Sequence, residues 1–178
     1  MIRPLQERAG LAVARFRYRG TPPVVSFGRS FSEATNVLVA LPDNRADEAA
    51  AQGVLRMLRE RVGEAHMTVV ASHQAVETAR LLPHAGYIPL FDRDVNALRL
   101  PRPQVLRKLE ARRYDLAVDL CLDFVLPPAY IVRASGARVR VGFAKRGAGV
   151  FYNLLVHADP AQGRAARYER LAQCLAMF

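Results

Sequence analysis

Four polar residues crowd one short loop, Leu41-Pro-Asp-Asn-Arg-Ala-Asp-Glu, where Asp43, Asn44, Asp47 and Glu48 fall between an apolar run and a helical pattern. Two kinds of chemistry suit them. At a helix N-terminus, carboxylates and an amide satisfy free backbone N–H groups and sit favourably in the helix dipole. A carboxylate held at the carboxyl edge of a parallel sheet can instead act as a general base toward a substrate hydroxyl, and Asp47 is the candidate for that role. Asn44 and Arg45 of the same loop are candidate substrate- or anion-binding groups. The loop contains no glycine, whereas a phosphate cradle of backbone amides relies on glycines for close approach. Dinucleotide or P-loop binding through this loop is therefore not expected.

Elsewhere the signals are weaker. Asp92-Arg-Asp94 has the spacing of a metal-binding acidic pair, but a triplet this short reads more simply as a solvated loop. The four histidines, His66, His73, His84 and His157, are scattered without ligand spacing or a cysteine cluster, so no metal and no cofactor is expected. Neither cysteine lies near a histidine and no Gly-x-Ser-x-Gly elbow occurs, which leaves nucleophilic catalysis without a signal. Arg138-Val-Arg140-Val alternates with the strand period, setting both arginines on one face, either as a sheet edge or as a basic, anion-binding surface.

These groups need a scaffold, and the chain alternates short β-rich runs with helical patterns. Strands are predicted at Asn36–Leu41, Met67–Ala71, Ile88–Phe91, Leu116–Leu120, Arg138–Phe143 and Leu154–Ala158. Helices are predicted near 46–62, 73–82, 102–113, 127–135 and 164–177. Val37-Leu-Val-Ala-Leu and Leu116-Ala-Val-Asp-Leu are nearly continuous apolar runs, as in strands covered by helices on both faces. The pattern is that of an α/β, doubly wound, mostly parallel Rossmann-like sheet.

Ahead of it, residues 4–19 read as a helix in which Leu5, Ala9, Ala12, Val13 and Phe16 share one face and Arg8, Arg15 and Arg19 form a stripe alongside. Gly20-Thr-Pro-Pro breaks that helix, and Val24–Phe31 reads as an irregular connector. The more ordinary reading packs the helix on the domain's own surface; the other has Arg8, Arg15, Phe16 and Arg19 meet a membrane or a partner.

At 178 residues the chain suits one domain, and 51% hydrophobic with 24% charged residues is ordinary globular composition. The formal charge of +10 is carried almost wholly by arginine and implies anionic neighbours without choosing among them. Residues 1–35 hold six Arg against two Glu, so the N-terminal arm is itself basic. Two widely separated cysteines fit a reducing compartment, and no apolar run reaches the ~20 residues of a membrane span. A cytoplasmic protein is expected, peripheral on the inner face of the membrane if the arm touches lipid. Nucleic acid is the least supported partner, because nothing interleaves aromatic with basic residues.

Three stretches together resemble the family 9 glycosyltransferases, which include the heptosyltransferases of the lipopolysaccharide inner core. They are Val37–Arg61; Arg112-Arg-Tyr-Asp-Leu-Ala-Val-Asp-Leu with Ala134-Ser-Gly-Ala-Arg-Val-Arg-Val-Gly-Phe143; and Tyr152-Asn153 through His157 to Arg167-Tyr-Glu-Arg-Leu. The resemblance spans roughly residues 36–178 and implies the N-terminal, acceptor-side half of a two-domain enzyme, with the donor-binding half absent after Phe178. It implies inverting, metal-free transfer of a heptose-like sugar from a nucleotide donor to a lipid-linked saccharide, with Asp47 at the position of the general base. The sequence departs from the family at Ala46, where a glycine is usual, at Asp43 and Asn44, where small hydroxyl residues are usual, and at Val125, where a basic residue is usual. These departures favour a non-catalytic binding or structural subunit of a larger protein complex; the alternative is one half of a split enzyme.

Overall fold

The computed structural model describes residues 2–20, 25–72 and 75–178. Six strands form one parallel sheet: β1 (Val37–Ala40), β2 (Met67–Ser72), β3 (Gly86–Leu90), β4 (Leu116–Asp119), β5 (Val139–Phe143) and β6 (Leu154–Val156). Their spatial order is β3-β2-β1-β4-β5-β6. The chain winds outward from β1 to one edge, returns beside β1 as β4, and winds outward to the other edge. This is the doubly wound Rossmann-like arrangement, with its switch point between β1 and β4.

The helices are α1 (Ile2–Arg17), α2 (Phe27–Ser32), α3 (Arg45–Val62), α4 (Val76–Arg80), α5 (Pro103–Leu109), α6 (Leu126–Ala134) and α7 (Arg164–Ala176). Every residue of β1 and β4 is buried, because helices cover both faces of the sheet. On one face Val37, Val39, Val69, Leu116, Val118 and Val141 meet Phe31 of α2, Val54 and Leu58 of α3, and Leu171 and Leu175 of α7. On the other, Leu38, Ala40, Val70 and Ala117 meet Ala14 of α1, Val105 and Leu109 of α5, and Ile131 of α6. In α3 the buried residues Ala51, Val54, Leu55 and Leu58 recur at helical spacing. Its end is set by Gly63 at φ +79, whose N–H still donates to the Arg59 carbonyl at 2.9 Å. Pro89 is tolerated in β3 because that strand lies at the sheet edge.

Two features differ from the sequence expectation. The connector is irregular only at Val25 and Ser26 among its described residues: Phe27–Ser32 is helical, with Phe27 and Phe31 one turn apart and both packed against the core. Helix α1 does lie on the domain, but the face holding Leu5, Ala9, Ala12, Val13 and Phe16 does not make the contact. Gly10, Leu11, Ala14 and Tyr18 do. The Tyr18 ring meets that of Tyr130 on α6 at 5.4 Å. A Cβ on Gly10 would fall 2.1 Å from the Leu98 carbonyl oxygen, so glycine is what permits this approach. His73 lies outside the described residues. No described helix is long and apolar enough to cross a membrane.

Candidate functional site

The loops that leave the carboxyl ends of β1 and β4 flank the switch point, the place where open α/β sheets bind ligands. Asn44 is the N-cap of α3: its Oδ1 accepts from the Asp47 N–H at 2.9 Å. Its Nδ2 donates back to Asp47 Oδ2. The other carboxylate oxygen, Oδ1, accepts from Arg164 Nη1 at 2.5 Å. Arg164 is the first residue of α7, so the pair joins the starts of two helices packed on the same face. Asp47 retains only 1% of its accessible surface. The bond to Asp47 raises the Arg164 pKa above its ordinary value. In this arrangement Asp47 offers no open face to a substrate hydroxyl.

Glu48 is also buried and accepts from Thr78 Oγ1 of α4, while its Oε1 has no hydrogen-bond partner among the described residues. Arg45 is exposed at the first position of α3. The arginines at 138 and 140 do not share a surface. Arg138 is exposed, whereas Arg140 is buried and donates from Nε to the Phe151 carbonyl at 3.0 Å and from Nη1 to the Ala137 carbonyl at 2.6 Å. Burial, reinforced by nearby Arg133, lowers the Arg140 pKa to about 10.

A second polar knot lies past β4. Asp119, also buried, accepts from the Tyr152 hydroxyl and from the Cys121 N–H at 2.9 Å, and Lys145 Nζ donates to the Cys121 carbonyl. Tyr168 donates to the Leu120 carbonyl at 2.6 Å. Burial, with Asp119 adding to it, pushes the Cys121 thiol and the Tyr152 phenol well up, and burial lowers Lys145. Cys121 is therefore a neutral thiol, unsuited to nucleophilic attack.

The open space lies on the other side of the switch point. A cleft of about 310 Å³ sits over the carboxyl ends of β1, β2 and β3, lined by Asp43, Ser72, Phe91, Asp92, Arg99 and the α6 start at Val125, Pro127 and Pro128. That size suits a small ligand. Asp92 and Asp94 do not act as a pair. Asp94 Oδ2 accepts from its own turn's Phe91 N–H at 2.9 Å, while Asp92 Oδ1 accepts from Arg99 Nη1 at 3.1 Å. Among the described residues no group of three His, Cys, Asp or Glu is placed to hold a metal.

Arg99 is the residue that sequence reasoning missed. Its φ is +59, the left-handed region that side chains other than glycine and asparagine rarely adopt, and it alone among described non-glycine residues has a positive φ. The surrounding turn imposes this. Asn96 Oδ1 accepts from the N–H groups of Leu98 and Leu100, Asn96 N–H donates to the Leu100 carbonyl, and Val95 bridges Pro101. The Arg99 side chain is only 18% exposed, and its buried Nε has no hydrogen-bond partner among the described residues. A left-handed backbone and an unsatisfied buried donor, each costing on the order of 1–3 kcal/mol, set Arg99 apart from the other residues lining the cleft. The Asn96 turn was the available signal, but no pattern indicates that the residue three places on goes left-handed.

No family model, curated protein or solved structure matches this chain.

Proposed function

We propose that this chain is a non-catalytic binding subunit on a scaffold resembling the acceptor-side half of a family 9 glycosyltransferase, taking a phosphorylated saccharide in the β1–β3 cleft within a larger, cytoplasmic protein complex. One observation carries the reading: the carboxylate that the resemblance casts as general base, Asp47, is buried with its oxygens engaged by Asn44 and Arg164. The cleft supplies what binding needs. Arg99 presents donors to a phosphate, Asp43 and Asp92 can accept from sugar hydroxyls, and Phe91, Pro127 and Pro128 give apolar contact for ring faces. Val125 leaves the start of α6 uncharged, and Arg99 brings positive charge to the cleft lining. Two unpaired cysteines are compatible with a reducing compartment.

The test combines calorimetric titration of heptose and hexose phosphates with an assay for transfer from nucleotide-heptose donors, on the purified chain with anything that co-purifies. Binding lost in Arg99→Gln, without turnover, is the expected result. Turnover abolished by Asp47→Asn overturns it.

A split enzyme is the second reading, and the position of Asp43 favours it. This carboxylate is exposed at the cleft, where a base would be needed. Turnover lost in Asp43→Asn but retained in Asp47→Asn would establish that version.

A further inference from the structure

We infer that α1 docks this chain on an anionic bilayer, lying in the interface plane with its outward apolar ridge inserted among the lipid headgroups. On the helix, Gly10, Ala14 and Tyr18 face the domain. With 100° between successive residues, Leu5, Ala9, Ala12 and Phe16 project almost directly opposite, and Val13 lies on the flank beside them. Leu5 is 70% exposed, Phe16 69% and Val13 44%, half of the large apolar side chains exposed anywhere on the described surface. A helix that served only to cover the domain would have its apolar face inward. Here Gly10, Leu11, Ala14 and Tyr18 turn inward, and with the described residues in place Leu5, Val13 and Phe16 stay exposed.

Charge identifies the occupant. Arg8, Arg15 and Arg19 border the ridge along one edge and Arg17 along the other, all exposed. The one acidic residue of the helix, Glu7, is on the packing side, half-buried and already engaged. An apolar strip with cationic borders on both sides and no acid matches a planar anionic headgroup layer, into which apolar side chains dip while arginines reach up to phosphates. Arg19 now lies over the Phe16 ring, 3.6 Å from its centroid, a position from which it can swing to a phosphate as the ring inserts.

The surface does not depend on the cleft and stands if the cleft takes another ligand. Because the chain has no tryptophan, Phe16→Trp makes a single-fluorophore reporter that leaves the packing face untouched. Vesicles of phosphatidylcholine, with or without phosphatidylglycerol, are titrated into the full chain at low and physiological salt. The expected result is co-sedimentation with the phosphatidylglycerol vesicles, weakened by salt, together with a blue shift of the reporter's indole emission. Leu5→Ser with Phe16→Ser should cut partitioning by about tenfold or more. Replacing Arg8, Arg15 and Arg19 by Gln should remove the preference for anionic lipid, and neither variant should shift the melting temperature. No vesicle binding at low salt, or binding that the double serine variant leaves intact, overturns the inference. So does a Phe16-dependent dimer in sedimentation equilibrium with no vesicle binding, which would make a second copy the occupant.

Discussion

Past β4 a cluster of buried polar side chains is bonded into the scaffold, whereas around the β1–β3 cleft Asp43 and Asp92 stay exposed, even though Asp47 and Glu48 of the neighbouring α3 are buried and bonded. Asp119, Tyr152, Lys145 and Arg140 all find partners within their own half, and Asp119, Tyr152 and Arg140 are buried. Asp43 and Asp92 are exposed, and Arg99 keeps a buried donor without a partner among the described residues, as Arg167 of α7 also does. Both halves use the same parallel-strand architecture, so the fold does not cause the difference. What differs is the packing against the strands: the Tyr152 ring lies directly on Gly142 of β5, while Val125, Pro127 and Pro128 line open space beyond β1 and β2.

Removing the centre of the closed half should have the largest effect. Asp119→Ala leaves the Tyr152 hydroxyl and the Cys121 N–H buried without an acceptor and strips nearby Lys145 of its counter-charge. The loss should be about 3–5 kcal/mol, read as a fall of roughly 10 °C in a thermal melt. A loss under about 1 kcal/mol would mean that the knot is not structural.

Two glycine substitutions test whether the halves are separable. A Cβ at Gly142 would lie 2.7 Å from the Tyr152 ring, and one at Gly10 would lie 2.1 Å from the Leu98 carbonyl and 2.7 Å from the Leu126 side chain. Each alanine should destabilise by about 1–3 kcal/mol through overpacking. Their effects on the cleft should differ. Gly10→Ala pushes on the turn that carries Arg99, so it should also weaken saccharide-phosphate binding. Gly142→Ala should leave affinity unchanged in titration calorimetry once the protein is folded, and equal losses of affinity would show that the halves are coupled.

The fold was largely legible because strand periodicity and apolar runs are local signals: each of the six strands falls within two residues of its predicted start. The capping role of Asn44 was legible for the same reason, since an Asx residue before a helical pattern carries its own mechanism. The site was much less so. Asp47 and Arg164 are far apart in sequence, and only the packing of α3 on α7 brings them together. Arg140 alternates as a surface residue would, yet α1 and α6 cover that face of the sheet. The apolar face of α1 was correctly grouped but carries no mark of which way it turns, because direction is settled by the fit of Gly10 against Leu98.

The open half should tolerate loss of its key residue. Arg99→Gly removes the left-handed strain at φ +59 while losing the Asp92 contact, so stability should stay within about 1 kcal/mol of wild type in urea unfolding. Saccharide-phosphate affinity should nevertheless fall about tenfold or more, the worth of a charge-assisted hydrogen bond. A stability loss above about 2 kcal/mol would move Arg99 into the same class as Asp119.

The smallest effect belongs to a carboxylate outside both regions. Asp115 Oδ2 accepts from the Thr35 N–H and hydroxyl, each at 3.0 Å, and from the Asn36 N–H at 3.1 Å, fastening the entry to β1 beside β4. Partial burial pulls its pKa up, but these bonds and Arg138 outweigh it, and the net value lies below the ordinary 3.8. A carboxylate depressed on folding adds stability that is present in full above its unfolded value and is lost as pH falls through the folded one. Asp115→Asn should therefore cost about 1 kcal/mol at neutral pH, a modest figure because the group is partly solvated. The wild-type and variant unfolding curves should draw together as pH drops below 3.8. A gap that stays constant across that range would mean that the charge on Asp115 adds nothing to its hydrogen bonds, and would leave this corner without the acid sensitivity assigned to it.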